Sequence, residues 1–379
     1  MKKTLAIIGA SYLQRPLVEK AKALGLRTIC FSWEDGAVCK DICDTFYPVS
    51  IVEKEQILRI CRQEKIDGVC TIASDVAAPT VAYVAEQMGL IGNSYEAAVR
   101  ANNKYQMRQA FMKAGVPCPK FTCLQQGESL ETNRLQKDGF QLPLIVKPSD
   151  RSGSLGVAKI EDWLQLQAAV DRARQVSFRH EAMVEEFIEG REISVEFISY
   201  KGTHYPLQIT DKVTTEAPHF VELAHHQPST LTPAQYKEIY AITANALDAL
   251  GLTNGASHSE YKITKDGRIA IMEIGGRMGG DFIGSDLVRL STGYDFLKGV
   301  IDVALDQFLP PVLDEQPHYS GVYFLTADTP RVKDYIDHAE DYPEIVLAEQ
   351  TDTELRHVQY SAQRSGYFIY RSDKRMNIN

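Results

Sequence analysis

Three clusters of residues have the types and spacing to handle a phosphorylated ligand. The first is I-V-K-P-S-D-R-S-G-S-L-G-V, Ile145 to Val157. A short apolar strand presents Lys147 to a loop that carries Ser152, Gly153, Ser154 and Gly156. Glycines let backbone N–H groups turn toward an anion, hydroxyls add donors, and a lysine at the loop's base supplies a compact charge. The same composition suits an ordinary flexible surface loop, and the G-x-x-x-x-G-K-[ST] of P-loop enzymes does not occur in the sequence. The second cluster is V-E-E-F-I-E-G-R-E, Val184 to Glu192, an apolar strand ending in carboxylates and a glycine. Its backbone can hold an adenine while Glu185 and Glu192 accept bonds from the amino group and ribose hydroxyls. A charged hairpin end is the plainer alternative.

The third cluster runs from Ser257 to Gly280. Glu260 and Glu273 fall on opposite strands of a hairpin centred on Asp266-Gly267, the strongest local turn signal in the chain. Such pairing can bring both carboxylates to one face, where a hard cation takes one or two carboxylates plus nucleotide phosphates. Without a cation, two facing carboxylates repel, so a metal is favoured over a cross-strand surface pair. His258 points to the same side as Glu260. Arg277 follows in G-G-R-M-G-G, where its fork can reach a phosphate or carboxylate.

The elements that must position these residues read as α/β. Buried-strand patterns alternate with amphipathic helices: strands at Thr4 to Ile8, Arg27 to Phe31 and Gly68 to Ile72, helices at Arg15 to Leu24, Glu53 to Glu64 and Pro79 to Met88. This alternation implies a parallel, doubly wound sheet. The turn after the first strand lacks the full G-x-G-x-x-G, so a nicotinamide site has weak support. One helix is expected over Tyr95 to Ala114, ended by Gly115 to Pro119. Further helices are expected at Trp163 to Gln175 and Pro233 to Leu250. Strands are expected at Met183 to Ile188, Glu192 to Ser199, Tyr319 to Leu325 and Gly366 to Tyr370.

Of the 379 residues, 44% are apolar and 24% charged, ordinary for a soluble globular protein of two or three domains. A net charge of −9 speaks against a broad nucleic-acid or anionic-membrane surface. The seven cysteines form no C-x-x-C pair and all lie in the first third, which reads as reduced thiols in a cytoplasmic protein. No stretch approaches the roughly 20 apolar residues of a membrane span.

In order and spacing, the three clusters resemble the ATP-grasp superfamily of carboxylate-amine ligases. The family's early lysine is matched by Lys104 in N-N-K-Y-Q-M-R and its second, at the root of a glycine-rich lid, by Lys147. A hinge of the form E-x-x-x-x-G-x-E is matched by Glu185 to Glu192, and the metal carboxylates by Glu260 and Glu273. The resemblance implies an ATP-grasp fold. A Rossmann-like pre-grasp domain would span 1–113, a lid subdomain 114–190, a large subdomain with the metal site 191–310, and a small C-terminal unit 311–379. It implies ATP held by Lys104, Lys147, Ser152, Gly153, Ser154, Gly156 and the hinge residues Glu185, Glu186, Ile188 and Glu192. Lys212 would be a third cation near the terminal phosphate, and magnesium or manganese would sit on Glu260 and Glu273.

F-V-E-L-A-H-H-Q-P, Phe220 to Pro228, and G-A-S-H-S-E, Gly255 to Glu260, resemble the amino-acid ligase branch. Glu222 and His225 would then sit near the acceptor, although Glu222, His225 and His226 also read as an exposed polar loop. Arg277, Gly279 and Gly280 would lie near an acyl phosphate, with His258 as the amine's base or as a support. Small carboxylate and amine substrates, amino acids among them, and a homodimer are further implications. One departure stands out: family members usually carry asparagine two residues after the second metal glutamate, and here Gly275 takes that place. The rival expectations are a bicarbonate-activating enzyme of the carbamoyl-phosphate synthase type and a nucleotide sensor without catalysis.

Overall fold

The computed structural model describes residues 2–151, 155–215, 219–316 and 318–378, which build three sheets. The first contains β1 (Thr4–Ile8), β2 (Arg27–Ser32), β3 (Thr45–Pro48) and β4 (Gly68–Cys70), all parallel, in the order β3-β2-β1-β4. Every residue of β1 is buried. Leu5 and Ile7 join a core with Leu17, Val18 and Val300, while Ala6 and Ile8 join another with Ile57, Leu58 and Val84. A parallel sheet covered on both faces is what a near-continuous apolar strand requires.

Instead of one helix over Tyr95 to Ala114 there are two, Tyr95–Asn102 and Lys104–Ala114. Asn103 between them is extended, and its side chain accepts from the Gln106 N–H to cap the second helix. Ala97, Ala101, Met107 and Phe111 share one core, so the apolar period runs through the break and hides it. The break puts Lys104 in a first helical turn, where its N–H donates to the Ser149 carbonyl at 2.7 Å.

The second sheet, antiparallel in the order β5-β8-β6-β7, contains β5 (Phe121–Leu124), β6 (Leu144–Pro148), β7 (Ala158–Ile160) and β8 (Ala182–Glu186). Helix Leu166–Val176 packs on β6 and β8 through Leu166, Ala169, Val170 and Ala173. Ser152, Gly153 and Ser154 lie outside the described residues.

The third sheet is antiparallel and eight-stranded. Its strands are β9 (Arg191–Tyr200), β10 (Thr203–Thr214), β11 (Glu222–Gln227), β12 (Gly255–Ile263), β13 (Ile269–Gly275), β14 (Tyr319–Leu325), β15 (Ile345–Gln350) and β16 (Gly366–Ser372). Their order is β13-β12-β9-β10-β11-β14-β16-β15. The expected hairpin is β12–β13, with Glu260 opposite Glu273 and a bulge just after Glu260. Its turn has Gly267 at φ +89°, a conformation that favours glycine. The polar run at Glu222 to Gln227 is strand β11, with His225 and His226 buried, rather than an exposed loop. Strand β14, from the segment 311–379, pairs with β11. Among the described residues no helix is long and apolar enough to cross a membrane.

Candidate active site

Lys147 is carried on β6 and Glu185 on the neighbouring β8. Their side chains meet at 2.5 Å, and the other Glu185 oxygen accepts from Arg108 Nε at 2.8 Å. All three groups are buried, and Arg108 Nη2 also donates to the Met272 carbonyl at 2.7 Å. Burial pushes the Lys147 ammonium down while Glu185 pulls it back up. Burial likewise penalises the Glu185 carboxylate, but Arg108 and Lys147 together hold it below its usual range. Glu185 thus fastens Lys147 to the helix that also carries Lys104, although its own segment reads as open to a ribose or an adenine amino group. Glu186 is taken up by Arg268, and Glu192 by Lys262 at 2.9 Å. Ile188 is buried beside them. Sequence reasoning passed over Arg108, yet it stands one helical turn after Lys104, on the same face.

Across the cavity, Glu260 and Glu273 face each other in register. Lys212 Nζ, from β10, lies 2.8 Å from Glu260 and 3.4 Å from Glu222. Lys104 Nζ lies 2.8 Å from Glu273 and donates to the Arg151 carbonyl at 2.9 Å. Lys212 chiefly holds the Glu260 carboxyl well below the usual carboxylate range, with burial opposing and His258 assisting. Burial disfavours the Lys212 charge, but Glu260, Glu222 and Glu192 outweigh it and raise its pKa. No group of three His, Cys, Asp or Glu side chains among the described residues is arranged for a metal. Two partly exposed carboxylates beside lysines that can move to phosphate oxygens still fit a magnesium-like ion, which takes few carboxylates and completes its shell with phosphate and water.

These groups line one cavity of about 300 Å³ that holds Lys104, Lys147, Glu185, Lys212, Glu222, Glu260 and Glu273. Leu155, Val157, Phe187, Ile188, Phe220 and Met272 give it apolar walls wide enough for a base. Phe187 and Phe220 carried no signal in the sequence, because an aromatic near a glutamate run reads as ordinary core. Gly156 adopts φ +75°, and a Cβ there would come within 2.5 Å of Val176.

The remaining expected residues lie toward the first sheet. His258 Nδ1 bonds Glu196, and its Nε2 lies 3.6 Å from Glu260. Burial works against the imidazolium, but Glu196 and Glu260 prevail and raise it to about 9. With Nδ1 on Glu196 and Nε2 toward Glu260, the ring is placed to support that carboxylate. The Gly279 N–H donates to the other Glu196 oxygen at 3.2 Å. Arg277 Nη2 donates to Asp75, on the loop after β4, at 2.7 Å. Gly280 packs against that same loop, its missing Cβ 3.4 Å from the Ala73 Cβ.

His225 is buried, 3.7 Å from Asp281, and neither ring nitrogen has a hydrogen-bond partner among the described residues. Burial lowers its pKa while Asp281 opposes, so the ring stays neutral at pH 7. Arg364, from the segment before β16, grips Asp281 with both nitrogens at 2.9–3.0 Å. Ser361 reaches Glu222 at 3.4 Å. Neither Arg364 nor Ser361 had any sequence signal, since their partners lie more than 80 residues away.

A family model described as an ATP-grasp domain matches residues 140–286. Alanine–anticapsin ligase of Bacillus subtilis (strain 168) is 29% identical over 346 residues, covering 82% of this chain and 71% of that protein. D-alanine–D-alanine ligase of Pelobacter propionicus is 29% identical over 188 residues, 48% of this chain and 58% of the relative. Among solved structures, L-amino acid ligase from Bacillus licheniformis superposes with a TM-score of 0.79 at 24% identity, covering 99% of this chain and 94% of the other. Phosphoribosylglycinamide synthetase from Anaerococcus prevotii gives 0.78 at 20% identity, covering 99% and 95%. Those two structures share the fold. The matched segment, residues 140–286, is an ATP-grasp domain, and it supplies Lys147, Glu260 and Glu273 to the one cavity.

Proposed function

We propose that this chain uses ATP and a divalent cation, magnesium or manganese, to phosphorylate a substrate carboxylate, which an amine then attacks to give an amide, ADP and phosphate. The observation that carries the reading is the meeting of Lys104, Lys147 and Lys212 with Glu260 and Glu273 in one cavity. Phosphoryl transfer depends on positioning and on neutralising spread-out charge rather than on covalent help from the protein. A bound cation would supply positive charge that offsets the charge on the phosphates. Glu260 and Glu273 would hold it; Lys104 and Lys147 would neutralise the phosphates, with Lys212 at the terminal one.

The segment from Ser152 to Gly156 would cover the phosphates and keep water from the acyl phosphate. Phe187 and Phe220 would flank the adenine, with the backbone of Glu186 and Ile188 at its edge and Glu192 near the ribose. Arg277 and the Gly279-Gly280 backbone would contact the acyl phosphate, Glu222 and neutral His225 the acceptor. Amino acids are the substrates we infer, in line with the alanine–anticapsin, D-alanine–D-alanine and L-amino acid ligases among the relatives.

An ADP-release screen of paired amino acids, with mass analysis of products, tests this. ADP formation that requires two amino acids and yields their condensed mass is the expected result. ADP release with bicarbonate alone would instead select the carboxylating reading, and ATP binding without ADP release across the panel would select a sensor.

A further inference from the structure

We propose that Asp75 is the positioning residue for Arg277, and that position 275 is glycine because Asp75 occupies the space its side chain would need. The inference rests on the reading of Arg277 as the contact for the reacting acyl group. Three contacts fasten the loop after β4 to the turn that carries Arg277. Ile72 bridges Met278 in parallel, the Ala73 N–H donates to the Met278 carbonyl at 3.1 Å, and Asp75 pairs with Arg277 at 2.7 Å. Ala73 adopts φ 55°, a conformation costly for a residue with a Cβ, so the packing around this loop enforces its path.

A Cβ at position 275 would stand 2.5 Å from Asp75 Oδ1 and 3.1 Å from Arg277 Cζ and Nε. The ion pair therefore fills the room of the missing side chain. Position 275 follows Glu273 by two residues on β13 and so faces the same way. A carboxylate lent by the first sheet thereby reaches the face that carries the metal carboxylates.

The pair leaves part of the guanidinium in reserve. Arg277 Nη1 makes a 3.3 Å bond to the Met278 carbonyl, while its Nε is buried without a partner among the described residues. A buried donor without a partner is costly, and a ligand oxygen arriving there would relieve that cost. Glu196 and Glu260 also act on Arg277. If Asp75 were removed, those two would draw the guanidinium toward themselves and away from the reacting group.

The test uses full-length Asp75→Asn, Asp75→Ala, Gly275→Ala and the Asp75→Ala/Gly275→Ala double variant. With the amino-acid pair that the wild type accepts, kcat of Asp75→Asn should fall on the order of 100-fold, as for a misplaced contact group. Its KM for ATP and its affinity for magnesium-ADP should stay within about twofold of wild type, since those contacts lie elsewhere. Gly275→Ala should be as damaging in the wild type as Asp75→Ala, yet add little in the Asp75→Ala background, because the two residues touch.

A readout independent of turnover is the Arg277 Nε–H resonance, assigned through Arg277→Lys, which should shift in Asp75→Asn. Unchanged kcat in Asp75→Asn, additive losses in the double variant, or an unmoved resonance would overturn the proposal. If the wild type releases no ADP with any pair, the ligase reading fails. The resonance and the same double-variant comparison, read as melting temperatures, then decide the role of Asp75. Should Asp75→Ala not fold, Asp75→Asn keeps the shape and carries the test.

Discussion

Each proposed metal carboxylate is matched by a lysine at 2.8 Å: Glu260 by Lys212 and Glu273 by Lys104. A cation arriving alone must displace an ammonium, whereas one arriving with phosphates gives both lysines a new partner. Magnesium titrated into the protein should therefore bind at least about tenfold more tightly with ADP present than without, as calorimetry would show. Lys212→Ala should reverse part of this, strengthening binding of the metal alone while weakening that of ATP. Lys147→Ala and Glu273→Gln should each cut ADP formation by at least ~100-fold, with circular dichroism unchanged, and turnover near wild type in either would remove the central claim. The lysines and glutamates were legible because their order along the chain is itself the signal. Arg108, Asp75 and Arg364 were not, because each acts through a partner far off in sequence and only the folded chain brings the two together.

At the scale of elements, periodicity located the helices and the β12–β13 hairpin but missed the break at Asn103, since the apolar stripe continues across it. Asn103→Ala should cost about 1 kcal/mol of stability through loss of the cap. It should also weaken ATP binding, because the cap sets where Lys104 begins its helix. Denaturant melts and calorimetry on one preparation would check both effects.

Strands β10 and β11 escaped the reading because buried Thr210, Asp211, His225, His226 and Gln227 replace the apolar alternation that marks a strand. One of those polar groups has a cost. Burial holds His226 down at about 3, against about 6.5 in an unfolded chain. A lowered histidine contributes its stability above the unfolded value and loses it as pH falls toward the folded one. Acidification from pH 7 to pH 5 should thus cost on the order of 1–2 kcal/mol through this ring. His226→Gln should show a smaller fall in melting temperature over that interval, and an equal fall would reject the assignment.

For the whole molecule, the doubly wound first sheet was readable because a parallel sheet needs apolar strands and helices on both faces. That β14, β15 and β16 join the sheet carrying Glu260 and Glu273 was not readable, since no local pattern reports which strand a distant strand will join. A chain ending at residue 310 should therefore lack β14 beside β11, lose Arg364 from Asp281, and fail to give a cooperative melt or bind ATP. Recovery of a folded, ATP-binding fragment would show the terminal segment to be an accessory. The order β10-β11-β14-β16 also bears on how the protein is made. As the chain leaves the ribosome, β11 presents an unpaired edge until β14 emerges, and β14 waits in turn for β16, more than 40 residues further on. Unpaired edges invite association with other chains. The nascent protein is thus most exposed to misassembly between the emergence of β11 and that of β16, and chaperone demand should peak in that interval.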